Sequence, residues 1–135
     1  MIGFMKSVMI RERVRYAETD QMGVAYHGAY AAWFEIGRTA FCREKGVVYA
    51  DLERQGWALV VVELEAQYKR PLRYDDAFEI WTEVTEAKSK VVEFAYRLLR
   101  GGEVCATGRT KHLFVDIRTF KPASAPAEVV EKLLR

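Results

Sequence analysis

A strong charge of either sign is the first thing this sequence lacks. Twenty-one Lys and Arg against nineteen Asp and Glu leave a formal net charge of +2 over 135 residues. No basic stripe interleaved with aromatics runs through it, so no nucleic-acid partner is expected. Long apolar runs are absent as well. The longest, Trp57 to Val62, is broken by Glu63 and Glu65 and is far too short to cross a bilayer, so no membrane insertion is expected. Cysteine is scarce. Cys42 and Cys105 stand far apart and outside any CxxC pattern, which reads as two buried, reduced thiols and not as a disulfide framework. Met1 to Met5 are followed at once by Lys6, so no secretory signal is expected and the expected location is cytoplasmic. Internal repeats and low-complexity segments are missing. What remains is one globular domain, 1–135, with half its residues hydrophobic and 30% charged and a length suited to a single core.

Periodicity divides the chain. Residues 8–16 read as a first strand and 17–26 as a loop turning at Gly23. From Gly28 to Lys45 the pattern is helical, with Tyr30, Trp33, Phe34, Gly37 and Phe41 near one face. Gly46 ends that helix, and Val47 to Gln55 adds a short helical turn or two. Four strands follow: Trp57 to Tyr68, Phe78 to Thr85, Val91 to Leu99 and Val104 to Asp116. Pro71 interrupts the first connection, and Gly101-Gly102 is a two-residue hairpin turn. Pro126 to Arg135 reads as a short helix with Ser124 as its cap. One helix followed by antiparallel strands is an α+β architecture. Gly37 in mid-helix costs about 1 kcal/mol against Ala, which implies a close helix–sheet approach. The strand with Ala106, Gly108 and Thr110 on one face offers the matching thin surface. Strands of twelve residues span roughly 40 Å and the helix nearer 25 Å. The sheet outruns its helix, and its exposed edge invites a second copy.

Chemistry concentrates in Thr19-Asp20-Gln21-Met22-Gly23-Val24-Ala25-Tyr26-His27. A carboxylate, a glycine turn and an imidazole precede the helix directly. An acid beside a helix N-terminus can attack a carbonyl while the free backbone N–H groups hold the developing oxyanion. The plain alternative for Asp20 is an Asx-type turn residue.

These residues, with the aromatic helix Tyr30-Ala31-Ala32-Trp33-Phe34-Glu35 and Arg38, resemble the hotdog-fold acyl-CoA thioesterases. The similarity is strongest to the 4-hydroxybenzoyl-CoA thioesterase group and its short YbgC-like bacterial members. Tyr68-Lys69-Arg70-Pro71-Leu72-Arg73-Tyr74-Asp75-Asp76 resembles that family's second signature. The resemblance spans about Arg13 to Asp116. It implies a five-stranded antiparallel sheet wrapped around a long central helix. It also implies a homodimer or homotetramer with active sites shared between subunits, and metal-free and cofactor-free hydrolysis of an acyl-CoA to acid and CoA.

Residue by residue, Asp20 matches the catalytic carboxylate, as nucleophile or as general base. The backbone N–H of His27 matches the oxyanion donor, and its imidazole orients Asp20 or water. Gly23, Tyr26 and Tyr30 shape the substrate pocket. Lys69, Arg70, Lys88, Ser89 and Lys90 match CoA-binding positions, with Lys88-Ser89-Lys90 in a turn suited to a phosphate; Arg73, Arg109 and Lys111 are further candidate cations. Glu35 matches a family helix glutamate, and pairing with Arg38 is its plain reading. Three rivals stand beside the thioesterase. They are a non-catalytic acyl-CoA-binding hotdog protein, a hotdog hydratase or dehydratase, and a lipid carrier on another helix-and-sheet fold. The acid disfavours a pure binder. Its seven-residue lead over His27 departs from the Asp-x4-His pattern of hydratases.

Overall fold

The computed structural model describes residues 6–135; the reading made for Met1 to Met5 lies outside them. The elements are β1 (Val8–Arg13), a single 3-10 turn (Tyr16–Glu18), α1 (His27–Glu44), α2 (Tyr49–Arg54), β2 (Trp57–Tyr68), β3 (Ala77–Ala87), β4 (Val91–Arg100), β5 (Glu103–Asp116) and α3 (Ala127–Leu134). The five strands form one antiparallel sheet in the order β1-β3-β4-β5-β2. The strands β1 and β2 are its edges, and α1 lies over β1, β3 and β4. This is the hotdog arrangement.

Alternation builds the core. On β3 the inward residues Phe78, Ile80 and Thr82 are buried, as are Val92, Phe94, Tyr96 and Leu98 on β4. They meet the helical stripe of Tyr30, Trp33, Phe34, Gly37 and Phe41, all buried. Phe34 stacks on Tyr96 with ring centroids 4.4 Å apart, and Trp33 packs on Phe78 at 4.6 Å.

Three expectations change here. A Cβ on Gly37 would collide with Thr82 and Ile80, so the close approach is to β3 and not to β5. On β5, Gly108 instead makes room for the Phe34 ring. Ser124 caps nothing: Pro126 holds the N-cap position of α3, with no side-chain cap. Arg38 forms no ion pair with exposed Glu35 among the described residues; it turns inward, to the Tyr96 hydroxyl.

The edge strand β2 is unusually open for its composition. Val61, Val62, Leu64 and Tyr68 are all more than 40% exposed. Val61, Leu64 and Tyr68 pair with His112, Thr110 and Ala106, which face the helix side, so their side chains share that side. A bulge at Val62 breaks the register near mid-strand. Among the described residues no helix is long and apolar enough to cross a membrane.

Candidate active site

The site is built from one loop and one helix end. Past β1 the chain leaves the sheet at Val14, whose N–H donates to the Asp76 carbonyl at 3.0 Å. After the 3-10 turn, Thr19 and Ala25 bridge antiparallel and close a tight loop. Inside it the Asp20 N–H donates to the Val24 carbonyl at 3.0 Å, and the Gly23 N–H to the Asp20 carbonyl at 2.9 Å. Gly23 has φ +78°, a left-handed conformation that glycine adopts without steric cost. No neighbour would crowd a Cβ there, so the turn itself demands glycine.

Both readings of Asp20 hold at once. Its Oδ1 accepts the Met22 N–H at 2.9 Å, an Asx-type turn. Its Oδ2 has no hydrogen-bond partner among the described residues, and the side chain is exposed. One oxygen fixes the carboxylate's direction and the other is free.

The helix start supplies the complementary charge. Tyr26 is the N-cap of α1, extended at φ −80° and ψ 159°, and makes no side-chain cap. Its N–H donates to the Glu18 carbonyl at 3.0 Å, and the Ala29 N–H donates to the Tyr26 carbonyl at 3.0 Å. Between them, the N–H groups of His27 and Gly28 have no acceptor among the described residues. Unclaimed N–H groups at the head of a helix of 18 residues form an anion-seeking end. A Cβ on Gly28 would drive into the Tyr26 ring. Glycine there lets that ring lie against the helix start.

A cavity of about 350 Å³ opens on this end. It brings together Asp20, Tyr26, His27, Tyr30, Lys69 and Arg70, and Met22, Val24 and Tyr68 extend its wall. Tyr30 is buried, edge-on to both Trp33 and Tyr68 at 4.8 Å. Burial pushes its phenol up to about 12, with Cys105 and Tyr68 adding to the effect, so it stays neutral near pH 7. Gly23 lines a second groove of about 550 Å³, shared with Tyr16, Tyr74 and the other flank of Asp20. Tyr68 is a site residue that the sequence reading placed only in the second signature; its aromatic character there was the available signal.

The expected cations divide. Lys69 has no carboxylate partner among the described residues, whereas Arg70 Nε lies 3.0 Å from Glu103 Oε2. Arg109 is ion-paired to Glu63, Glu65 and Glu93, and Lys111 to Glu63, all on the sheet's outer face. Lys88, Ser89 and Lys90 form the β3–β4 turn. There the Lys88 N–H is committed to the Val91 carbonyl, and the Lys90 carbonyl accepts the Phe114 N–H at 2.9 Å. Phe114 pairs with Leu59, near the Trp57 end of β2, while the cavity lies at the Tyr68 end. Roughly 30 Å of strand separates them within one chain. Among the described residues no three His, Cys, Asp or Glu side chains gather as a metal site.

A hotdog sheet carries a half-free carboxylate and an open helix start beside one cavity. The sequence profile of the thioesterase-like superfamily matches residues 14–133. The chain belongs to that superfamily, and in class it is a thioester hydrolase. It is 37% identical to YneP of Bacillus subtilis over 110 residues, 81% of this chain and 80% of that protein. It is 36% identical to the acyl-CoA thioesterase YbgC of Haemophilus influenzae over 118 residues, 87% of each chain. The crystal structure of the DHNA-CoA thioesterase of Staphylococcus aureus superposes with a TM-score of 0.85 at 35% identity, covering 87% of this chain and 80% of that one.

Proposed function

We propose that the chain hydrolyses acyl-CoA thioesters, with Asp20 as the catalytic carboxylate and the N–H of His27 as oxyanion donor. One observation carries the reading. Asp20, with one carboxylate oxygen free, and His27, with its N–H unclaimed at the α1 start, line a single cavity. A thioester whose carbonyl oxygen sits at the helix start presents its carbon to Asp20. Two routes use that geometry. In one, the free oxygen adds to the carbon, the thiolate of CoA leaves, and water cleaves the resulting anhydride. In the other, it takes a proton from a water that adds in its place. The thiolate is a good leaving group, so neither route needs a strong acid. The His27 imidazole is exposed at the cavity and makes no hydrogen bond to Asp20 among the described residues, which leaves it a role toward water or substrate.

The full site needs a second copy. Antiparallel pairing of two β2 edges about a twofold axis would join two sheets into one. The Tyr68 end of one strand would then lie beside the Trp57 end of the other. That places the partner's β3–β4 turn on the same side as this chain's cavity, within reach of the long CoA arm. The exposed apolar row Val61, Leu64 and Tyr68 supports the pairing. Two buried, unpaired cysteines suit a reducing compartment such as the cytoplasm.

Asp20→Asn tests the assignment. Asparagine retains the acceptor for the Met22 N–H and removes the free anionic oxygen. Steady-state thiol release should fall at least about 100-fold in kcat, while CoA affinity stays within about twofold. His27→Ala keeps the backbone donor and should lose less. Near-wild-type kcat in Asp20→Asn would remove Asp20 from the mechanism, and a larger loss in His27→Ala would make the imidazole the principal catalyst.

A further inference from the structure

Glu18 lies outside the cavity, yet its side chain is only 12% exposed. Its Oε1 accepts the Arg15 N–H at 2.7 Å, and its Oε2 accepts the Trp33 indole N–H at 3.0 Å. The Arg15 guanidinium adds a longer contact to Oε2 at 3.4 Å. The Glu18 carbonyl takes the N–H of Tyr26, the N-cap of α1, at 3.0 Å. Trp33 itself is fully buried, wedged between Tyr30 and Phe78. One residue thus ties three things together. They are the limb entering the loop, the helix start that offers the oxyanion N–H groups, and a fully buried indole in the core. Asp20 is two residues further on.

We propose that Glu18 is a positioning residue that sets the distance between the Asp20 carboxylate and the head of α1; this rests on Asp20 being the catalytic carboxylate. The chemistry of the tie requires an anion. Two donors, a backbone N–H and an indole N–H, converge on the two oxygens of one side chain. Only a carboxylate offers an acceptor at both. An amide of the same shape turns an N–H onto one of the donors, and either the loop limb or Trp33 is released. Catalysis depends steeply on such placement, since a 1 Å displacement can cost about 100-fold. Substrate affinity does not depend on it, because Glu18 lines no part of the cavity.

The test is Glu18→Gln, assayed on an acyl-CoA with thermal melting run alongside. The expected result is a loss of about 10- to 100-fold in kcat, with KM within about twofold. In the Asp20→Asn background, where turnover is stopped, Glu18→Gln should leave the Kd for the same acyl-CoA within about twofold. A residue that merely supports the cavity would weaken Kd and kcat together, and that outcome overturns the proposal. Wild-type kcat in Glu18→Gln beside an inactive Asp20→Asn overturns it too, and leaves the catalytic reading intact. An active Asp20→Asn removes the reading beneath both. Trp33→Phe is measured in parallel, so that poor folding of Glu18→Gln does not end the test. It removes the indole donor and leaves the carboxylate, and it should show the same loss in kcat at unchanged Kd. Wild-type kcat in that variant also overturns the proposal.

Discussion

At the scale of single residues, the chemistry sits where local pattern and tertiary placement agree. The turn at Gly23 and the helix start at His27 were legible because both are local events, as was the placement of Asp20 just ahead of them. Glu18 was not, since its meaning comes from Trp33, fifteen residues away and buried under the sheet. The same holds for His112. It is buried on β5, where its Nε2 lies 2.8 Å from Thr110 Oγ1, which in turn lies 2.6 Å from the Tyr96 hydroxyl. Burial, with Arg38 nearby, pushes His112 down to about 3, against an unfolded value of about 6.5. The unfolded chain therefore binds this proton first as the pH falls. Stability linked to His112 is complete above pH 6.5 and is lost progressively between 6.5 and 3. At pH 5 the loss is about 2 kcal/mol from this group. Urea unfolding at pH 7.5 and 5.0 measures it. In His112→Gln the fall between the two should be smaller by about that amount, and an unchanged fall would show that His112 titrates normally in the native state.

Elements were read well where their signals are covalent neighbours. The Gly101-Gly102 turn falls between β4 and β5 as read, and β2 runs from Trp57 to Tyr68 as read. The strand opposite Gly37 was misjudged because sheet order, β1-β3-β4-β5-β2, is not a local property. The β3–β4 turn shows the same limit. Lys88 and Lys90 are exposed there, with Lys88 3.4 Å from Glu86, an exposed pair of little energetic weight. Replacing both lysines by Ala should raise KM for an acyl-CoA several-fold and leave kcat unchanged, since the phosphates are remote from the carbonyl. The effect should shrink in high salt, as exposed charges are screened beyond about 8 Å, and vanish on an acyl-pantetheine. An equal loss on the acyl-pantetheine would assign the turn to folding or assembly.

For the molecule as a whole, the open edge is the decisive surface. Helix α1 lies mainly over β1 and β3, and the middle of β2, Val61 to Leu64, is left exposed. Leu64 stands on that strand, 47% exposed. Leu64→Lys should fold with an unchanged far-UV spectrum, because the side chain is outside the single-chain core. A charge on the edge should oppose pairing. Sedimentation at micromolar concentration should show wild type as at least a dimer and Leu64→Lys as a monomer with little activity. A fully active monomer would place the whole site in one chain.

Edge pairing of this kind would also work as a ruler. A register shift that keeps every side chain on its own face moves one strand past the other by two residues, or about 6.8 Å. With sites completed across the edge, such a slip lengthens or shortens the slot between Asp20 and the opposing subunit without altering any residue that lines it. The bulge at Val62, near the middle of β2, would stand close to the twofold axis, where the two edges would have to accommodate one another's irregularity. A two-residue slip about that point is therefore a compact route by which relatives of this chain could exchange one length of acyl group for another.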